Sequence, residues 1–323
     1  MKRVAKPEGR FNIVLEDVDI PNIADTEVLI RAERTLISRG SEIWRRYVRP
    51  EAIPHQMMGY SFVGRVVDVG AQVAGYSPGD RVAALAPHAE YVAVEVVHSP
   101  HSPSVVRLPD GVSTEAGTFW PLATSSVLWM WETGARRGDT MVILGQGLVG
   151  SGCMQVARAG DMGRVIVVDT LPRRCELARL LGADEVVNAS TEDPVEAVRR
   201  LTGGAGADVV VEAVGGRAGA RAFAQAQEMV RAGGLLQVLG LYEEESLPLD
   251  SGKIQGRRLI GGYLDSNKRP VGSERALELL ATCGIQAEKM ITHRFPFTEA
   301  AAAFDLLYNR LDEAMGVILV WEE

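Results

Sequence analysis

The rhythm of hydrophobic and polar positions changes twice along this chain. From Asp139 onward, short apolar runs alternate with longer stretches whose apolar positions recur at helical spacing. Thr140-Met141-Val142-Ile143-Leu144 has little polar interruption and ends in glycine, as a parallel strand buried on both faces should. The same reading predicts helices over 149–159, 173–181, 194–201 and 218–231, and strands over 164–169, 185–187, 208–212 and 234–240. Strands that alternate with helices require crossover connections, so this region is a doubly wound parallel sheet.

The chain before it reads differently. Residues 27–32, 62–70 and 90–94 are β-rich and separated by turns such as Ser77-Pro78-Gly79-Asp80, the pattern of an antiparallel, barrel-like domain. A helix is suggested over 42–47. After Gly261, helical patterns over 274–283 and 298–307 precede a terminal strand, 316–320, expected to rejoin the first domain. The expected division is 1–117, 118–260 and a returning segment, 261–323.

Composition narrows the possibilities. The 323 residues are 46% hydrophobic and 24% charged, too long for one compact core, so two domains are expected. A net charge of −8 offers no basic surface for a nucleic acid or an anionic membrane. No apolar run is long enough to span a bilayer, and no apolar h-region follows Lys2-Arg3, so a cytoplasmic location is expected. Cys153, Cys175 and Cys283 are far apart, without a Cys-x-x-Cys pair, and fit reduced thiols better than disulfides or a zinc knuckle.

The strongest local motif is Gly145-Gln146-Gly147-Leu148-Val149-Gly150, between a strand and a helix. Gly145 permits the tight turn, Gly147 lets the backbone approach a pyrophosphate, and Gly150 lets helix and strand pack closely; the helix N-terminus supplies amide donors. Asp169 ends the next strand, 19 residues after Gly150, where a carboxylate can bind the adenosine ribose and repel a 2′-phosphate. This favours NAD over NADP, although Arg173 and Arg174 follow closely and either flank the ribose or accept a phosphate. Asp169 could also serve simply as an N-cap ahead of Pro172. Ala213-Val214-Gly215 and Leu239-Gly240-Leu241, at later strand ends, are placed to line the nicotinamide half of the site, or are plain turns.

A β-rich domain, a dinucleotide-binding domain and a returning chain together resemble the medium-chain dehydrogenase/reductase superfamily. The matching segments are 59–70, Gly79-Asp80-Arg81-Val82, His88-Ala89-Glu90-Tyr91, the Gly145 loop, Leu181-Gly182-Ala183-Asp184 and Ile291-Thr292-His293-Arg294-Phe295. The resemblance implies an α/β protein with a GroES-like catalytic domain, a Rossmann domain, and homodimers or homotetramers built through the Rossmann sheet. Zinc alcohol dehydrogenases place a Cys within the segment equivalent to 36–42, a His-Glu pair where this chain has Tyr60-Ser61, and a third ligand near Trp120-Pro121-Leu122-Ala123-Thr124. None of these ligands is present, and the run from Arg81 to Tyr91 is too short for a structural zinc lobe. No zinc is therefore expected. Ser38-Arg39-Gly40-Ser41-Glu42 resembles the Ser-x-Gly-Thr-Glu stretch of a zinc-lacking branch.

Without a metal, a side chain must polarise the substrate oxygen. Tyr60 stands in the place of the missing His ligand, where a phenol with a lowered pKa would exchange a proton with the substrate; aromatic packing is its plainer role. Ser38 and Ser41 either bond the substrate oxygen or cap the 42–47 helix, and capping is the simpler role for Ser41. Glu42 orders a relay, binds a hydroxyl, or only stabilises a helix dipole. His88 has a pKa range suited to proton exchange with solvent. His55, Trp120, Thr124 and Tyr263 are candidate pocket residues, with a surface loop the plainer account of Tyr263. The expected function is zinc-independent, NAD(H)-dependent hydride transfer between nicotinamide and a secondary alcohol or ketone of a polyol, sugar or similar small molecule. The alternatives are an NAD(P)H-dependent enone or quinone reductase, and a dinucleotide-binding protein that has lost turnover.

Overall fold

The computed structural model describes residues 1–241 and 246–322. The chain forms two compact units, one of Met1–Thr124 with Asp265–Glu323 and the other of Ser125–Leu264.

In the first unit the strands are β1 (Lys2–Ala5), β2 (Val14–Asp17), β3 (Glu27–Leu36), β4 (Phe62–Val69), β5 (Arg81–Ala84), β6 (Tyr91–Glu95) and β7 (Val105–Arg107). In the second they are β8 (Thr140–Leu144), β9 (Arg164–Asp169), β10 (Glu185–Asn188), β11 (Ala207–Glu212), β12 (Val230–Val238) and β13 (Arg258–Gly261). The returning chain adds β14 (Ile291–Pro296) and β15 (Gly316–Val320) to the first unit.

The first unit is a seven-stranded sheet of order β14-β15-β3-β4-β5-β7, with β6 pairing β3 and a separate β1-β2 ladder. The long strand β3 explains the architecture. Val28, Ile30 and Ala32 point into the core while Arg31 between them is exposed, the period-2 pattern of a sheet wet on one face. Phe62, Val66, Val82, Val92 and Val94 meet them, and Phe304 from the helix Ala300–Asn309 covers the same core. The closing strand joins this sheet, with Ile318 opposite Leu36 of β3.

The second unit is a six-stranded, wholly parallel sheet of order β10-β9-β8-β11-β12-β13. Met141, Val142, Ile143 and Leu144 of its central strand are all buried, because helices cover both faces. The strand order reverses between β8 and β11, the topological position at which open α/β sheets bind ligands beyond the carboxyl ends of their strands.

Some boundaries moved. The 218–231 helix is interrupted: a 3₁₀ turn covers Gly216–Ala218, the α-helix runs Gly219–Met229, and β12 begins at Val230. Val230 pairs with Ala207, and the register then shifts before Val209 meets Leu235, so an irregular strand takes residues that read as helix. Arg231 closes this turn on Asp208, 2.6 Å away. The helix expected over 274–283 is Arg269–Ala281, started earlier by Pro270 in its first turn, where the fixed φ of proline is already helical. The 42–47 helix is a nine-residue π-helix, Arg39–Tyr47. The strands β1, β2, β5, β7, β13 and β14 were not expected from the sequence pattern.

Candidate active site

The glycine loop between β8 and the helix Leu148–Ala159 has the local geometry its spacing implied. Gly145 adopts φ +89°, and a Cβ there would press on Val214 Cγ2 at 2.8 Å. A Cβ at Gly150 would collide with the carbonyl oxygen of Gly145, so this glycine sets the helix against the turn. A Cβ at Gly147, by contrast, would meet nothing within 4 Å. Open space beside a helix N-cap is what a pyrophosphate requires. Leu148 and Val149 form the first turn of that helix, and Gln146 is buried with its amide group turned towards Gly145 and Ser151.

Asp169 closes the loop from the end of β9. Its Oδ2 accepts from the Gln146 amide at 2.7 Å and its Oδ1 from the Leu171 amide at 2.8 Å. The carboxylate thus ties two backbone segments and still has lone pairs for ribose hydroxyls. It is not the N-cap of the next helix: that position is Leu171, with Pro172 in the first turn. Arg174 stands 4.0 Å from Asp169, and its burial lowers its pKa while Asp169 opposes the shift; Arg173 is exposed.

Ala213-Val214-Gly215 and Leu239-Gly240-Leu241 are brought together by Glu212, which the motif reading passed over. Glu212 is fully buried; its Oε1 accepts from the Val214 amide at 2.7 Å, and its carbonyl accepts from Leu239 and Gly240. Gly216 in turn donates to the Leu241 carbonyl. A buried carboxylate at a strand end ahead of Ala-Val-Gly was the available signal.

In the first unit, the π-helix and two other segments build a polar cluster. Ser38 is the N-cap of the π-helix, yet its side chain makes no capping bond; its Oγ accepts from the Tyr60 hydroxyl at 2.9 Å. The Ser38 amide donates to Glu42 Oε2 at 2.7 Å. Glu42 Oε1 meets His88 Nε2 at 2.8 Å, with both side chains wholly removed from solvent. A carboxylate only accepts, so Nε2 donates to it, while Nδ1 is buried without a hydrogen-bond partner. Gly59, at φ +110°, makes the close approach possible: a Cβ there would lie 2.8 Å from the His88 amide nitrogen and 3.0 Å from its ring.

Three expectations change here. Burial pushes the Tyr60 phenol up to about 12, and Glu42 adds to the rise against hydrogen bonds from Ser38 and Ser41 and the charge of Arg46. Tyr60 is therefore a neutral donor, not a phenol of lowered pKa. Ser41 lies inside the helix and caps nothing. His88 has no exposed surface for direct exchange with solvent.

His55 opens a short 3₁₀ turn, its pKa lowered by burial and by Arg3 and raised by Glu16. Trp120 is buried and donates to Ser273 Oγ at 2.8 Å, and Thr124 donates back to the Trp120 carbonyl within its helix. Tyr263 is 63% exposed. Among the described residues no group of three or more His, Cys, Asp or Glu side chains is placed to hold a metal ion. Two cysteines are buried in the parallel-sheet unit and Cys283 is exposed in the other. The side chains around Tyr60 are hydroxyls plus one His-Glu pair already engaged with itself, which is not a zinc donor set.

Residues 24–110 match the alcohol dehydrogenase GroES-like domain, and residues 149–282 match the zinc-binding dehydrogenase family. An L-threonine 3-dehydrogenase of Bacillus velezensis is 26% identical, covering 99% of each chain. A D-arabitol-phosphate dehydrogenase of Enterococcus avium is 29% identical over 94% of each. Among solved structures, the alcohol dehydrogenase TADH from Thermus sp. ATN1 superposes with a TM-score of 0.85 at 26% identity, covering 99% of each chain. Matched by the models of both domains, the chain belongs to the medium-chain, zinc-type alcohol dehydrogenase family and is an oxidoreductase of the alcohol dehydrogenase type. No helix among the described residues is long and apolar enough to cross a membrane.

Proposed function

We infer that this enzyme interconverts a secondary alcohol and its ketone on a polyol, sugar or similar small molecule, using NAD(H) and no zinc. The observation that carries this reading is the Tyr60 hydroxyl donated to Ser38 Oγ, in a cluster whose side chains suit oxygen recognition and not zinc. The residues of the parallel-sheet unit fit the cofactor: the Gly147 amide region would take the pyrophosphate, Asp169 the adenosine ribose, and the 213–215 and 239–241 turns the nicotinamide half. A dinucleotide held there supplies or accepts the hydride.

The chain's own task is to hold the substrate oxygen and manage one proton. As a neutral phenol, Tyr60 donates a hydrogen bond to a ketone oxygen and favours its polarised form. Ser38 Oγ, now accepting from Tyr60, is the adjacent group that can receive the shared hydrogen bond of an alcohol. Glu42 fixes Ser38 through its amide, and His88 fixes Glu42. Glu42 and His88 are thus positioning residues, since the bond from Glu42 reaches the Ser38 backbone and not its hydroxyl. Ser41 adds to the hydrogen bonding around Tyr60.

Asp169 supports NAD over NADP by placing negative charge where a 2′-phosphate would sit. The chain is read as a cytoplasmic homodimer or homotetramer joined through the parallel-sheet unit, whose edge strand β13 is largely exposed. The test is enzyme purified in the presence of a chelator, assayed by nicotinamide absorbance on polyols and secondary alcohols with NAD⁺ and on enones and quinones with NADH and NADPH. Turnover of an alcohol with NAD⁺, unchanged by chelator, is expected. Activity that returns only with added Zn²⁺, or that occurs only on conjugated acceptors, would overturn the reading.

A further inference from the structure

Arg46 lies on the π-helix four residues beyond Glu42 and five beyond Ser41, a spacing that returns it to the face carrying them. Several arginines of this unit end on carboxylates: Arg3 on Glu16, Arg65 on Glu33, Arg107 on Asp80 and Arg294 on Glu115. The Arg46 guanidinium does not. Its Nη1 is sealed from solvent without a hydrogen-bond partner, and among the described residues no carboxylate forms an ion pair with it. Glu42, the acid on its own helix, accepts from the Ser38 amide with one oxygen and meets His88 with the other, and makes no ion pair with Arg46.

The charge of Arg46 nevertheless acts on this cluster: it opposes the rise of the Tyr60 phenol, and it is itself lowered by burial and raised by Glu42. A partly buried guanidinium left unpaired destabilises the fold unless something fills its fork. Its planar donors match an oxyanion, which would restore the missing bonds and neutralise the charge in one step.

We propose that Arg46 is the anion-recognition residue of the substrate site, binding a carboxylate or phosphate carried by the same molecule whose oxygen Tyr60 holds. The substrate is then an anionic alcohol, a hydroxy acid or a polyol phosphate, and not a neutral polyol. The assignment rests on the role proposed for Tyr60, and it narrows that role to a chemical class. Arg39, whose guanidinium sits over the Trp44 ring at 5.4 Å, places a second cation on the same helix.

The test compares matched pairs: sorbitol with sorbitol 6-phosphate, and 2,3-butanediol with 3-hydroxybutyrate. The wild type should favour the charged member of one pair by about tenfold or more in kcat/KM, expressed mainly in KM. Which pair responds separates phosphate from carboxylate. Arg46→Gln should abolish the preference, Arg46→Lys should retain part of it, and Arg45→Gln, at an exposed neighbouring arginine, should leave it intact. Calorimetric titration with inorganic phosphate and with glycolate gives a readout independent of turnover, and thermal melts of each variant report folding. Anion binding lost in Arg46→Gln supports the site even if no alcohol is oxidised, in which case only the proposed reaction falls. Equal charged-to-neutral ratios in wild type and Arg46→Gln, or anion binding unchanged by that substitution, would overturn it.

Discussion

The two units assemble polar groups in opposite ways. In the parallel-sheet unit, the turn, the close helix contact and the carboxylate that locks them all lie between Gly145 and Leu171, on consecutive elements. In the other unit the cluster draws Ser38, Glu42 and Arg46 from a π-helix, Tyr60 from a turn before β4, and His88 from a loop after β5. The first arrangement depends on backbone shape, so glycines carry it. The second depends on side chains that meet only because β3, β4 and β5 are adjacent strands. A backbone site is damaged by adding atoms, and a side-chain site by removing them.

The largest effect should come from the buried pair. Glu42→Ala leaves the His88 Nε2–H and the Ser38 amide unpaired in the interior, and should cost about 3–5 kcal/mol of stability by urea unfolding. Glu42→Gln, which keeps the shape, should cost clearly less. Equal losses would mean that packing, and not pairing, holds this cluster.

Tyr60→Phe should lower kcat by roughly 10²–10⁴ with a smaller change in KM and little loss of fold, since it removes one donor from Ser38. Rates within threefold of wild type would remove Tyr60 from the chemistry.

The glycine loop provides the converse test. Gly150→Val forces a side chain into the carbonyl of Gly145 and should cost about 1–3 kcal/mol, together with most of the NADH affinity measured by fluorescence titration. Unimpaired NADH binding would show that the helix N-terminus is not the phosphate site.

The smallest effect is in alkaline solution. Tyr60 and Tyr47 are both pushed up to about 12 by burial, whereas an unfolded tyrosine ionises near 10. The unfolded chain therefore loses these protons first. The stability they contribute is complete below about pH 10 and drains away as pH rises towards 12. The urea midpoint should fall between pH 10 and 12, and less steeply in Tyr60→Phe than in wild type.

Much of the second unit was legible in sequence because a parallel sheet covered on both faces shows itself as unbroken apolar runs, and its turn chemistry lies beside them. Asp169 could be found by counting from Gly150. The boundary at Val230 was not legible, since pairing with Ala207 overrides a helical pattern by long-range hydrogen bonds. In the first unit the same residue types were noticed, but their relations were not. Ser41 read as a cap because a hydroxyl before an acidic, amphipathic stretch usually is one, and the π-helix starts two residues earlier.

What the sequence determined by itself, then, was the local: the strand-glycine-helix turn, the β-rich stretch of β3, and the alternation of strands and helices that makes a parallel sheet. Tertiary structure alone decided which groups meet. It sealed Glu42 against His88, turned Ser38 from a cap into the acceptor of Tyr60, kept that phenol neutral, and left Arg46 without a carboxylate. The reason is physical: backbone conformation is governed by neighbours in sequence, whereas desolvation and pairing depend on what other strands bring within a few ångströms.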